Sequence, residues 1–252
     1  MSIELKMRGR VATLTIDRPE VRNAMDQAAW LQLRDRVREV ADQRASCLVV
    51  TAAGSEAFVA GSDVRGLNSR TAVSTLDGVS QQVLAELADL EFPTIAAING
   101  HALGGGCELA LSCDVRFATP VGLMGLPEVR LGLIPGAGGT WRLAEIVGIA
   151  KAKEMILAGL RVDMREAFRI GLVNRVIEQD ALMAETYAYA EQIERCAPLA
   201  VRAAKLLLNA QSVDRPAAVS ERLAQAFLFS TEDRVEGTEA FLERRRADFH
   251  GR

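Results

Sequence analysis

The chain has 252 residues, 49% of them hydrophobic and 25% charged, with a formal net charge of −3. That balance belongs to an ordinary globular protein of one large domain or one and a half, and its slight acidity argues against nucleic-acid binding as the main activity. No run of about twenty apolar residues is present to span a membrane, and the charged start Met1-Ser2-Ile3-Glu4-Leu5-Lys6 lacks a signal peptide's apolar core, so the cytoplasm is the expected compartment.

In chain order, Arg10 to Ile16 alternates in the manner of a strand, and Asp17-Arg18-Pro19-Glu20 ends it. Asn23 is expected to cap a helix from about Met25 to Val40, with Trp30, Leu33 and Val37 on one face. Cys47 to Ala52 is an unbroken apolar strand of the parallel-sheet type. Gly54 to Val64 reads as a loop of small residues with exposed amides, and Ser74 to Leu90 as a helix burying Val79, Val83, Leu87 and Leu90. Pro93 to Ile98 and Asp114 to Thr119 are further strands. From about residue 137 the composition turns helical, over Ala150 to Leu157, Met164 to Ile170, Ala181 to Ile193, Ala197 to Leu208 and Ala217 to Phe229. Leu172 to Ile177 interrupts as a short strand. Alternation of apolar strands with helices predicts an α/β fold with a parallel sheet and a helical C-terminal region.

Cys47, Cys107, Cys113 and Cys196 show no C-x-x-C spacing and read as buried small hydrophobes. No His/Cys/Asp/Glu cluster has metal-ligand spacing, so no metal is expected. Gly136-Ala137-Gly138-Gly139 has the spacing of neither a P-loop nor a dinucleotide fingerprint. A serine hydrolase built on Ser62 and His101 would need a G-x-S-x-G elbow, which is absent; His101 reads as a packed turn residue.

The chemistry concentrates in Asn99-Gly100-His101-Ala102-Leu103-Gly104-Gly105-Gly106-Cys107-Glu108, where a strand hands over to a helix. Glycines there remove every Cβ and admit another molecule close to the backbone. The first amides of a helix have no internal partner, and the helix dipole adds positive character, so a developing oxyanion is stabilised there. Glu108 lies about one turn into that helix. The other reading of the cluster is tight packing of a helix on a sheet.

These motifs, taken with Asp17-Arg18-Pro19, Asn23-Ala24, Phe58-Val59-Ala60-Gly61-Ser62-Asp63, Leu126-Pro127-Glu128, Gly132 to Thr140, Gly171-Leu172-Val173-Asn174 and Ala240 to Arg245, resemble the enoyl-CoA hydratase/isomerase (crotonase) superfamily in order and spacing. Within it they are most similar to enoyl-CoA hydratases. The resemblance implies a crotonase-like spiral of stacked β-β-α turns over residues 1–195, carrying the acyl-CoA site. A helical region over 196–252 would serve trimerisation and CoA contact, in a homotrimer or a dimer of trimers.

The substrate implied is an acyl-CoA thioester whose carbonyl oxygen sits between the backbone amides of Ser62 and Gly105, with Glu108 and Glu128 as the acid/base pair that adds water to a 2-enoyl group. Coenzyme A is part of the substrate, so no separate cofactor is implied. Ala60, Asp63, Arg65, Gly104, Phe241 and Arg244 fall at positions that contact substrate or CoA in the family. Leu126 and Trp141 stand where glutamine is common in hydratases, which bears on the acyl pocket. Other reactions of the superfamily, a carnitinyl-CoA-type dehydration or an enoyl-CoA isomerisation, stay open, as does a non-catalytic acyl-CoA-binding or scaffold protein.

Overall fold

The most apolar run of the sequence, Cys47–Ala52 (β3), is a central strand with both of its faces covered. The structure, a computed structural model, describes residues 2–43, 45–63, 71–210, 222–223 and 225–248. Cys47 and Val49 point into one apolar cluster with Val11, Ile95 and Phe117. Leu48 and Val50 point the other way, into the main core with Leu14, Ile98 and Leu109. A period of two with both faces buried is why this strand reads as continuous rather than alternating.

Two sheets carry the fold. One has the order β1 (Ile3–Arg8), β2 (Val11–Ile16), β3, β5 (Thr94–Ile98), β7 (Val115–Ala118) and β10 (Arg175–Val176). Its first pair is an antiparallel hairpin and every later pairing is parallel. The other has the order β4 (Ala57–Val59), β6 (His101–Leu103), β8 (Leu123–Gly125) and β9 (Arg161–Asp163), antiparallel only between β8 and β9. The chain runs from β3 to β4, from β5 to β6 and from β7 to β8, and helices follow each pair. Every turn thus gives one strand to each sheet, and the next turn stacks beside it in parallel. This is the spiral of β-β-α turns that the resemblance implied.

Several local expectations are corrected. The N-cap of the first helix, Gln27–Asp42, is Asp26, whose Oδ1 accepts the N–H of Ala29 at 2.8 Å. Asn23 lies before it with φ 58, and its side chain braces a different loop. The expected helix from Ser74 to Leu90 is two helices, Ala72–Leu76 and Val79–Ala88, because Gly78 between them takes φ 54 and ends the helical path. The loop from Gly54 contains β4, whose three residues are too few to show alternation. Between the strand ending at Ile98 and the glycine helix lies β6, three residues with no pattern of their own. Leu172 to Ile177 keeps only β10 as strand. Cys196 is exposed, unlike the other three cysteines. Arg65, and residues 217–221 and 224 of the stretch expected as a helix from Ala217, lie outside the described residues.

The C-terminal helices cover the sheet and close its open end. Leu182–Glu194 lays Leu182 and Ala190 on the cluster around Val49 and Phe117. Pro198–Ala210 is fastened by Lys205, only 7% exposed, whose Nζ donates to Asp114 Oδ2 at 2.8 Å and to Phe92 O at 3.0 Å. The same Asp114 Oδ2 accepts from the backbone N–H of Thr94 at 2.7 Å and from its hydroxyl at 3.0 Å. One carboxylate therefore joins a C-terminal helix to the N-terminal ends of β5 and β7.

Two outcomes follow from this packing. Lys205→Met strands Asp114 without its cation, and because that carboxylate keeps some water contact the expected loss is about 2–3 kcal/mol, below the full cost of breaking a buried pair; a urea unfolding titration reads it, and an unchanged midpoint would contradict the clamp. Burial pushes the thiols of Cys47 and Cys113 up to about 12 and that of Cys107 well above its usual range, so all three stay protonated at neutral pH. Native alkylation followed by mass spectrometry is expected to mark Cys196 alone, and to mark all four cysteines in urea.

Candidate active site

The loop that carries Ser62 is held from both sides. Asn23 Nδ2 donates to Ala53 O at 3.0 Å and Ala57 O at 2.7 Å, while Asn99 Nδ2 donates to Ala52 O at 2.7 Å and Gly54 O at 2.6 Å. Two buried amides thus fix the connection from β3 to β4. Beyond β4, the N–H of Met25 donates to Gly61 O and that of Asp63 donates to Met25 O, at 2.9 and 3.2 Å. Ser62 sits between these bonds, and its own N–H takes no backbone partner among the described residues.

The glycine helix Gly105–Leu111 is buried along its whole length and meets that loop edge-on. A methyl group on Gly106 would lie 2.1 Å from Val59 O, so no side chain fits there and the helix touches β4 backbone to backbone. A methyl on Gly105 would lie 3.4 Å from Ser62 Oγ and 3.9 Å from Ser62 N, so the two residues are neighbours across this contact. Gly105 opens the helix, so its N–H has no intrahelical acceptor. Gly104 has φ 52 and ψ −125, a backbone state open to glycine, and a methyl on it would lie 3.1 Å from Glu128 Oε1.

Two glutamates share a cavity with Ser62 and Gly105. Glu108 is 3% exposed, and its Oε1 accepts the N–H of Ala137 at 2.7 Å and of Gly139 at 2.9 Å. Those donors sit at the start of the helix Gly139–Val147, where the orphan amides and the dipole favour a negative charge. Glu128 begins the 3-10 turn Glu128–Leu131 and is half-buried. Both carboxylates line one cavity of about 570 Å³ together with Ala60, Ser62, Gly104 and Gly105, and Phe241 closes it from the C-terminal helix Glu232–Glu243. Such a site can hold a water between two acid–base groups while two amides stabilise an oxyanion.

Asp63 and Arg244 do not line this cavity. Leu126 is fully buried, its side chain packed against Gly139 behind Glu108, and Trp141 lies under Arg142; neither lines the cavity. His101 Nδ1 accepts the N–H of Leu123 at 3.0 Å, so it braces β6 against β8 outside the cavity and cannot serve Ser62 as a base. Among the described residues no group of three or more His, Cys, Asp or Glu is arranged to hold a metal. No described helix is long and apolar enough to cross a membrane.

Sequence reasoning missed much of the wall, Trp30, Arg222, Gln225 and Phe229 among it. Trp30, read only as part of a buried helix face, turns the Cζ2 edge of its indole toward Gly105, and its Nε1 is buried without a partner. Arg222, Gln225 and Phe229 enter from the C-terminal region. Their spacing, three and then four residues, was the available signal, since it stacks them on one helical face.

The chain is similar to known proteins over nearly its whole length. A family model described as Enoyl-CoA hydratase/isomerase matches residues 6–252. A crotonyl-CoA hydratase of Syntrophomonas wolfei is 39% identical over 254 residues, covering 98% of this chain and 97% of the relative. A 2,3-dehydroadipyl-CoA hydratase of Escherichia coli is 40% identical over 245 residues, covering 96% of each. Among solved structures, a carnitinyl-CoA hydratase from Mycobacterium avium superposes with a TM-score of 0.89 at 34% identity, covering 100% of this chain and 99% of that one.

Gly104→Ala tests the backbone state next to Glu128. Alanine there must leave φ 52 or bear strain of about 1–3 kcal/mol, and its methyl crowds Glu128. The urea unfolding midpoint is expected to fall accordingly; no fall would mean that residue 104 is not held in this conformation.

Proposed function

The chain belongs to the enoyl-CoA hydratase/isomerase family and is an enoyl-CoA hydratase, and we propose that Glu108 and Glu128 perform its acid–base chemistry while the amides of Ser62 and Gly105 hold the substrate's carbonyl oxygen. The observation that supports this assignment is that both carboxylates line one cavity with those two amides. In the proposed course, one carboxylate takes a proton from a water held between the pair. The resulting hydroxide bonds to Cβ, the C=C electron pair moves toward the thioester, and the carbonyl oxygen takes on negative charge between the two N–H groups. The enolate then collapses, and the other carboxyl group delivers a proton to Cα. Water is added, and no electron leaves or enters. One aimed donor of this kind is worth about 3–4 kcal/mol of barrier.

The bonds from Ala137 and Gly139 to Glu108 Oε1 orient that carboxylate before substrate arrives. Ala60, Gly104 and Phe241 lie where they would meet the thioester arm. Asp63, Arg65 and Arg244 are assigned to CoA from the family resemblance alone. The thioester supplies coenzyme A, so the reaction as proposed needs no further cofactor.

Residues 1–195 form the catalytic core in this proposal, and 196–252 join copies of the chain into a homotrimer or a dimer of trimers. Support comes from the helix Pro198–Ala210, which leaves Leu199, Leu206, Leu207 and Leu208 each at least 65% exposed, more bare leucine than an isolated surface helix needs. A cytoplasmic location fits a water-soluble thioester substrate.

Loss of enone absorbance on mixing with crotonyl-CoA tests the reading. The parent protein is expected to consume it, and Glu108→Gln and Glu128→Gln are each expected to lower kcat by about 10²–10⁴-fold while thermal unfolding confirms that they stay folded. Full activity in either variant would remove that carboxylate from the mechanism.

A further inference from the structure

Past the two carboxylates, the cavity wall is apolar. It is made by Leu131, Leu133 and Ile134, with Phe229 packed on Leu133. The hydrocarbon part of an acyl group is driven there, whereas the phosphates of CoA gain nothing by leaving water for it. The acyl chain beyond the double bond therefore runs along the face that carries Phe229.

That face also carries two polar side chains. Gln225 is built into the wall: its Oε1 accepts the N–H of Ile134 at 3.2 Å, and its Nε2 lies against Gly136. Arg222, one turn earlier, lines the same cavity and reaches across to the start of the helix Val79–Ala88, where its Cδ would lie 2.6 Å from a methyl on Gly78. It makes no ion pair or hydrogen bond with the described residues. The other arginines of the wall are either paired or exposed: Arg22 pairs with Glu56 at 2.7 Å, Arg130 donates to Ala158 O at 3.4 Å, and Arg161, like Arg222 without an ion pair among the described residues, stands exposed where Arg222 is half-buried. A half-buried guanidinium without an acid partner among the described residues, beside an apolar wall, is matched by a carboxylate and mismatched by a methyl group.

Resting on the hydratase assignment above, we propose that the acyl group for which this cavity is built ends in a carboxylate, bound by Arg222, so that the substrate class is the 2-enoyl-CoA thioester of a dicarboxylic acid. The discrimination arises from the cation: a methyl-ended chain leaves the guanidinium to lose water with nothing in exchange, while a carboxylate meets it with two parallel hydrogen bonds.

The test compares kcat/KM for two six-carbon substrates, 2-hexenoyl-CoA and its counterpart with a carboxylate in place of the terminal methyl, with crotonyl-CoA as the reference for hydration itself. The parent is expected to prefer the carboxylate-ended substrate by about tenfold or more. Arg222→Gln is expected to lose about 10- to 100-fold on that substrate, chiefly through KM, and to change 2-hexenoyl-CoA by less than about threefold. Equal losses on both six-carbon substrates would assign Arg222 to a phosphate of CoA and overturn the proposal. A parent that hydrates crotonyl-CoA yet shows no preference would overturn it too, with the hydratase assignment intact. A folded parent that hydrates none of the three would overturn both.

Discussion

A carboxylate taken out of water needs donors, and Glu108 finds them in the amides of Ala137 and Gly139. Those two bonds tie the buried helix Gly105–Leu111, which belongs to one turn of the spiral, to the start of the helix Gly139–Val147, which belongs to the next. The group proposed to carry out the chemistry is therefore also a joint between layers. Its position is set by backbone on both sides, and the rest of the cavity is arranged around a fixed point.

The same economy recurs on the facing side. Asn23 and Asn99 hold the β3–β4 connection through backbone carbonyls, and Gly106 lets the glycine helix touch β4 without an intervening side chain. Ser62 and Gly105 are brought together mainly by main-chain contacts and amide side chains, with the edge of the Trp30 indole against Gly105. Such contacts have little freedom to relax, which is what preorganisation of an oxyanion site requires.

The sequence made the central strands legible because they are buried on both faces, and it made Glu108, Glu128 and the glycine cluster legible through their motifs. It did not reveal β4, β6, β8 and β9, since three-residue strands carry no periodicity, and their pairing depends on the stacking of one turn upon the next. Asn23 misled for a chemical reason: a side chain able to cap a helix is equally able to brace a loop, and Asp26 with Arg18 against it at 2.5 Å held the cap instead. The acyl wall was hidden because residues 131–134 and 222–229 come together only in three dimensions, and neither segment marks the other.

The closing of the cavity by Phe229 and Phe241 also has a consequence in time. A chain emerging amino end first at about 5–20 residues per second presents Glu108 and Glu128 well before either phenylalanine exists. Until then Glu108, Glu128, Ser62 and Gly105 lack the part of the cavity wall that these two residues supply. On the function proposed above, full affinity for substrate arrives only with the last helices, so a nascent or clipped polypeptide is not expected to sequester the thioester pool that the finished molecule draws on.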